Sequence, residues 1–294
     1  MQTQAIQLLS RPQLEHPLLI AGFGGWGNVL EVSTGLADYL VRQLKAEKFA
    51  LLNPDLFFRY DQARPLVSIV NGTLKKFTYP ECAFYAARTG PSQRDIVILK
   101  GEEPQLSWQV FSQALFELLR ELGVDLIVTI GSMYDQVRHS DRIVSGVASS
   151  DDLLADLVLK GVRPISYQGP SAIHTILQAD GPQNGMTCAS LWCHCPFYLQ
   201  GTVHFGYLAH LATLLSRIGS FEIDVSSLDR NWQKMEKQIE RQVTQNPEVQ
   251  ALIQKLNQTT QILSPSPEPK PASGKGQVID LQDFLTFKSP DSDQ

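Results

Sequence analysis

Apolar residues in this chain fall into short solid runs and longer periodic stretches, and the two kinds alternate. The run over 18–22 (LLIAG) contains no polar residue, as a strand buried on both faces requires. The stretch 28–45 then places Val29, Val32, Leu36, Tyr39, Leu40 and Leu44 at helical spacing. A second strand is predicted over 48–52. Further along, 95–100 (DIVILK) and 124–131 (VDLIVTIG) read as buried strands. Between them, 107–122 reads as a helix with Trp108, Phe111, Leu115, Leu118, Leu119 and Leu122 on one stripe. Gly123 stands where a helix closes in the left-handed conformation. A shorter strand is expected over 142–147, and Ser150-Asp151-Asp152 caps a helix running to Leu159. The pattern continues with a short helix over 171–178, a strand over 186–195 ending at Pro196, and a core helix over 202–218.

Two stretches break this rhythm. Asn71-Gly72 lies between two alternating runs and supplies the positive φ of a tight turn, so 66–70 and 73–79 should pair as a hairpin. Its flanks are aromatic, with Phe57, Phe58, Tyr60, Phe77, Tyr79, Phe84 and Tyr85. Such a hairpin is either a sheet extension with its own small core or an exposed partner surface. Past the core, 227–245 and 247–256 read as surface helices separated by Asn246-Pro247. The stretch 263–276 (LSPSPEPKPASGKG) is too rich in Pro, Ser and Gly to bury a core and is expected to be disordered. An apolar segment, VIDLQDFLTF over 278–287, follows it.

Repeated strand–helix units predict an α/β fold with three layers: a mostly parallel sheet between two layers of helices. The expected divisions are an N-terminal extension (1–17), an α/β core (18–222) with the hairpin insertion at 57–85, a helical segment (223–260), a linker (261–277) and a tail (278–294). With 43% hydrophobic residues the 294-residue chain can bury a large core, and its net charge of −5 gives no reason to expect a nucleic acid partner. No apolar run spans a bilayer and the first residues lack a leader pattern, so no membrane partner is expected. The unevenly placed Cys82, Cys188, Cys193 and Cys195 suggest reduced thiols and a cytoplasmic location.

In such sheets ligands sit beyond the carboxyl ends of the strands, which singles out 24–28, 100–103, 132–139 and 196–200. Gly22, Gly24 and Gly27 match the spacing of a dinucleotide-binding turn, but no acid ends the next strand and Trp26 is large for a pyrophosphate site. A tight strand–helix turn is the favoured reading. Cys193-His194-Cys195 does not have zinc spacing, because alternation on a strand turns His194 away from both thiols. Ser132, Asp135, His139 and Asp141 share one loop without a nucleophile elbow, so no catalytic set is assigned. Glu102 and Glu103 read as much as helix-capping acids as ligand contacts. The ligand-binding candidates are Gly24, Gly25, Trp26, Gly27, Gly101, Glu102, Ser132 and His139, with no cofactor or metal expected.

A series of segments, in order, carries a likeness. It runs GFGGWGNV, STGLADYL, Asn53-Pro54-Asp55 with Phe57-Phe58, Arg64-Pro65, YPECAFYAAR, KGEEPQLSWQVF, TIGSMYDQVRHS, YQGPSAI, SLWCHCPFYL and NPEVQALIQKL. Over about 18–256 the chain resembles the proteasome assembly chaperone family, of the second chaperone's type, as a prokaryotic-type homologue. The resemblance implies a fold similar to nucleoside phosphorylases and a non-catalytic role in protein interaction or assembly. Family members that dock on the proteasome ring end in a hydrophobic–Tyr–any motif, whereas this sequence ends SPDSDQ. Its tail instead spaces Val278, Leu281 and Leu285 along one helical edge beside Phe284, as a tethered docking peptide or a segment that folds back. The functional expectation is an assembly-chaperone-like factor that self-associates as a homo-oligomer and binds an unidentified protein. The alternative is a crevice that binds, or turns over, a nucleoside, nucleotide or phosphorylated metabolite.

Overall fold

The computed structural model describes residues 4–201, 203–260 and 279–280. In chain order its elements begin β1 (Ile6–Leu8), β2 (Leu18–Phe23), α1 (Val32–Gln43), β3 (Glu47–Leu52), α2 (Pro54–Phe57), β4 (Leu66–Val70) and β5 (Thr73–Thr78). There follow β6 (Cys82–Ala87), β7 (Ile96–Gly101), α3 (Trp108–Leu122), β8 (Leu126–Asp135), β9 (Val144–Ala148), α4 (Asp151–Leu159), β10 (Arg163–Pro164) and α5 (Ile173–Asp180). The last are β11 (Thr187–Pro196), β12 (Leu199–Gln200), α6 (Phe205–Gly219), α7 (Ser226–Gln245), α8 (Pro247–Thr260) and β13 (Ile279–Asp280).

Nine strands form the main sheet in the order β1-β3-β6-β7-β2-β8-β11-β9-β10. The central strands β7, β2, β8 and β11 are parallel. The flanks are not: β1, β3, β6 and β7 pair antiparallel in turn, and β9 runs antiparallel to β11. The expected parallel sheet therefore describes the centre, and the sheet as a whole is mixed. The flanks escaped notice because β1 is only three residues long and β6 lies in the stretch assigned to the insertion. The hairpin itself occupies only β4 and β5, and the chain rejoins the main sheet at Cys82.

Helices cover both faces. Leu36 and Leu40 of α1, Leu211 and Leu215 of α6, and Trp232 and Met235 of α7 pack on one face. Phe111, Leu115 and Phe116 of α3 and Ile173 and Leu177 of α5 pack on the other. Strand β2 is buried along its whole length, which is why its sequence shows no alternation. The predicted caps form: the Ser150 hydroxyl accepts from Leu153 N at 3.3 Å, and Asn246 Oδ1 accepts from Glu248 N at 3.1 Å. Gly123 closes α3 at φ 77°. No described helix is long and apolar enough to cross a membrane.

Asn71 and Gly72 turn the β4–β5 hairpin with φ of 49° and 75°. Every residue of β4 is exposed, and β4 and β5 form a two-stranded sheet apart from the main one. At the tail, β13 pairs in parallel with β12, Leu199 beside Ile279 and Gln200 beside Asp280. The linker 261–277 and the tail candidates Val278, Leu281, Phe284 and Leu285 lie outside the described residues.

Gly22 sets the distance between β2 and α1, since a Cβ there would stand 2.6 Å from the Ser33 carbonyl oxygen. A backbone atom held by α1 cannot step aside as a side chain does. Gly22→Ala is expected to destabilise the fold by roughly 2–3 kcal/mol, read as a lower urea midpoint at unchanged m-value.

Candidate functional site

The carboxyl ends of β2, β7, β8 and β11 meet at one edge of the sheet. The glycine turn after β2 is pinned there by a hydrogen bond from Gly24 N to the Gly101 carbonyl, 2.8 Å. Gly101 has φ 154°, and a Cβ there would lie 2.2 Å from the Glu81 carbonyl oxygen, so only glycine fits. The turn faces carboxylates: Glu102 oxygens lie 3.0 and 3.1 Å from the Cβ position of Gly24, and a Glu103 oxygen 3.5 Å from that of Gly25. The start of α1 is already occupied, because Asn28 Oδ1 accepts from Ser33 N at 2.9 Å and Thr34 N at 3.2 Å. A phosphate cradle needs free N–H donors and no adjacent negative charge. Here the donors at the start of α1 are taken and two carboxylates flank the turn.

Beneath the turn lies a small aromatic group. Trp26 is 62% exposed and meets the Trp192 ring edge-on at 6.2 Å. Gly27 and Gly131 leave room for Trp192, whose ring carbons lie 3.1 and 2.7 Å from their respective Cβ positions. His174 is buried between Trp192, 5.0 Å away, and Phe23, 5.7 Å away. Its Nδ1 has no hydrogen-bond partner, and burial pushes its pKa down to about 4. Glu103 accepts from Ile173 N at 2.7 Å at the start of α5, and burial raises its carboxyl against the pull of that bond.

Ser132 and His139 do not join this group. The loop assigned to 132–139 is in part strand, since β8 runs on to Asp135. Ser132 is fully buried, donating its hydroxyl to the Val29 carbonyl at 2.8 Å while its N–H holds the Gly27 carbonyl at 2.8 Å. It fastens the turn to β8. His139 pairs through Nδ1 with the Tyr198 hydroxyl at 2.8 Å, and burial lowers its pKa. It lies beside Arg142, whose guanidinium donates to the His139 carbonyl at 2.9 Å and covers the Trp232 ring of α7 at 4.1 Å. The ligand-binding candidates are thus divided between the glycine turn and the α7 face.

The structure brings together a different set. His194 Nδ1 lies 2.7 Å from Asp135 Oδ2, and its Nε2 lies 2.8 Å from the Ser145 hydroxyl. The hydrogen bond from His194 holds the Asp135 carboxyl below its ordinary range, against the opposing effect of desolvation. An ionised carboxylate only accepts, so Nδ1 donates to Asp135, and the tautomer with its proton on Nδ1 leaves Nε2 as an acceptor for the Ser145 hydroxyl. The order is hydroxyl, imidazole, carboxylate, drawn from β9, β11 and β8. Cys193 and Cys195 face the opposite side of β11, inside the α6 core, as strand alternation predicted. Among the described residues no three His, Cys, Asp or Glu side chains are grouped to hold a metal.

A family model described as the PAC2 family matches residues 19–243. The chain belongs to the PAC2 family. No curated protein matches the sequence. Among solved structures, a PAC2 family protein from Streptomyces avermitilis is 27% identical with a TM-score of 0.72, covering 81% of this chain and 99% of that one. A proteasome-assembly chaperone homologue from Mycobacterium tuberculosis is 22% identical with a TM-score of 0.71, over 80% of this chain and 99% of that one. PbaB of Pyrococcus furiosus, described as an archaeal proteasome activator, is 22% identical with a TM-score of 0.63, over 81% and 98%.

In this PAC2 chain, Asp135 stood in the polar loop singled out from sequence, whereas Ser145, His194, His174 and Trp192 did not emerge as site residues. The one available signal was alternation, which turned His194 out of the thiol face. Its partners are 59 and 49 positions away, and no local pattern links them.

His174 and His204 are both buried, with pKa values pushed down to about 4 and about 3 from 6.5. The unfolded chain therefore takes up protons below 6.5 that the folded chain refuses, and stability falls as pH drops from 6.5 towards 4. Each imidazole contributes about 1.4 kcal/mol per pH unit in that window. Urea unfolding at pH 7 and pH 5 is expected to differ by on the order of 3 kcal/mol, with a shallower slope in His174→Phe.

Proposed function

We propose that this protein works by contact, as an assembly-chaperone-like factor that presents the β4–β5 hairpin to protein. The hairpin carries the proposal. Leu66, Ile69 and Leu74 are 73%, 63% and 57% exposed, and Val67, Val70 and Phe77 are exposed beside them. A two-stranded ribbon buries too little to be stable alone. Val67 pairs across the strands with Phe77 and Ile69 with Leu74, and exposed apolar pairs of this kind favour an interaction surface. Tyr79 packs on Tyr60 at 5.5 Å and on Phe77 at 4.9 Å, so the base of the ribbon is anchored while its blade stands free.

The first partner on this surface is a second copy of the chain. Among the described residues neither outer edge of the ribbon is paired with another strand, and two such ribbons can pair edge to edge about a two-fold axis. The relationship to a proteasome-assembly chaperone homologue and to a proteasome activator supports a further protein client of the same class. The occupied, carboxylate-flanked glycine turn favours this reading over a nucleotide or phosphorylated ligand.

Light scattering behind a sizing column tests the hairpin directly. The protein is expected to self-associate at tens of micromolar, and Ile69→Glu with Leu74→Glu to return it to a monomer. Both positions are exposed, so the melting temperature should move by no more than about 2 °C. A wild-type monomer across the whole concentration range rules out self-association through the ribbon.

A further inference from the structure

The Ser145–His194–Asp135 chain is not needed for contact, and its order is that of an activated nucleophile. Base and nucleophile lie within hydrogen-bond reach, and a third group orients the base. It also lies where an open α/β sheet places its chemistry, at the carboxyl ends of β8 and β11. Its surroundings have two distinct sides. Trp192 is the register partner of Ser145 on β11, and Arg163 is its register partner on β10. Register partners leave the sheet on the same face. Arg163 is exposed and forms no ion pair among the described residues.

We propose that Ser145 is the nucleophile of an ester-hydrolysing site, with His194 as general base and Asp135 as the residue that positions it. The substrate class is a small carboxylic ester. Its apolar acyl group lies towards Trp192, and its carbonyl oxygen develops charge near the Arg163 guanidinium. Ser145 Oγ bonds to the acyl carbon as its proton passes to His194 Nε2. The carbon–oxygen bond to the alcohol then breaks, and the alcohol leaves with that proton. Water attacks the acyl-serine, giving its proton to Nε2. The carboxylic acid departs, and the serine hydroxyl recovers its hydrogen from the imidazolium. Atoms balance with water as the co-reactant, and no electrons are transferred.

Ser145 is only 3% exposed, so the decisive probe must be small. The full chain is incubated with a dialkyl fluorophosphate, and adducts are located by peptide mass. One adduct is expected on Ser145, together with hydrolysis of p-nitrophenyl acetate that the adduct abolishes. Asp135 is partly open at the surface, so Asp135→Asn preserves its shape and the protein is expected to stay folded. It presents a donor to Nδ1, reverses the tautomer, and is expected to slow labelling at least 100-fold, measured at a temperature below the variant's own melting transition. Arg163→Ala is expected to slow ester hydrolysis about 10-fold or more. The Ile69→Glu, Leu74→Glu protein should label at the wild-type rate, which separates this site from the contact role. A wild-type protein that takes no adduct on Ser145 overturns the proposal, as does equal labelling of Asp135→Asn. Either result leaves the three residues as a clamp across β9, β11 and β8.

Discussion

Ten residues of β11 pair in parallel with ten of β8, from Thr187 beside Leu126 to Pro196 beside Asp135, and this register organises most of the molecule. Because side chains alternate across a strand, the pairing divides both strands into two rows. One row, Leu191, Cys193 and Cys195 on β11, is covered by helix α6 and its neighbours. The other is polar and aromatic: Thr129 donates to Ser190 at 3.0 Å, Trp192 lies on Gly131, and His194 binds Asp135. A slip of one position would bury the imidazole among the core leucines and turn the thiols outward. The register is therefore enforced from both sides, by burial on one face and by side-chain pairing on the other.

The same constraint explains the glycine turn. Trp192 needs space at the end of the sheet, and Gly27 and Gly131 provide it. Ser132 then ties the turn to β8 through the Gly27 and Val29 carbonyls. The N–H groups at the start of α1 are consumed by Asn28, and Glu102 and Glu103 lie against Gly24 and Gly25. In a motif with the spacing of a phosphate site, Gly27 allows the close approach of an indole and Gly22 that of a helix.

Two surfaces remain after packing is accounted for. The ribbon offers exposed apolar side chains and, among the described residues, unpaired edges, which suit protein association. The strand-end row offers an oriented hydroxyl, imidazole and carboxylate and suits chemistry. They lie on separate elements, so the fold can carry both without one constraining the other. Membership of the PAC2 family accounts for the common framework and is compatible with both.

Much of the framework was legible in the chain itself. The solid apolar runs at β2, β7 and β8, the helical stripes of α1 and α3, the Asn71-Gly72 turn and the caps at Ser150 and Asn246 all depend on neighbours within a few residues. Local sequence determines such features because backbone geometry and side-chain period act over one or two turns. The antiparallel flanks escaped because β1 is too short to show a period, and β6 was masked by the aromatic stretch before it. The Ser145–His194–Asp135 group escaped for a deeper reason. Its members come from three strands, and only the order of strands in the sheet makes them neighbours. Alternation alone turned His194 away from the cysteines, but what it turned towards was decided by the pairing of β11 with β8 and β9, which no stretch of sequence contains.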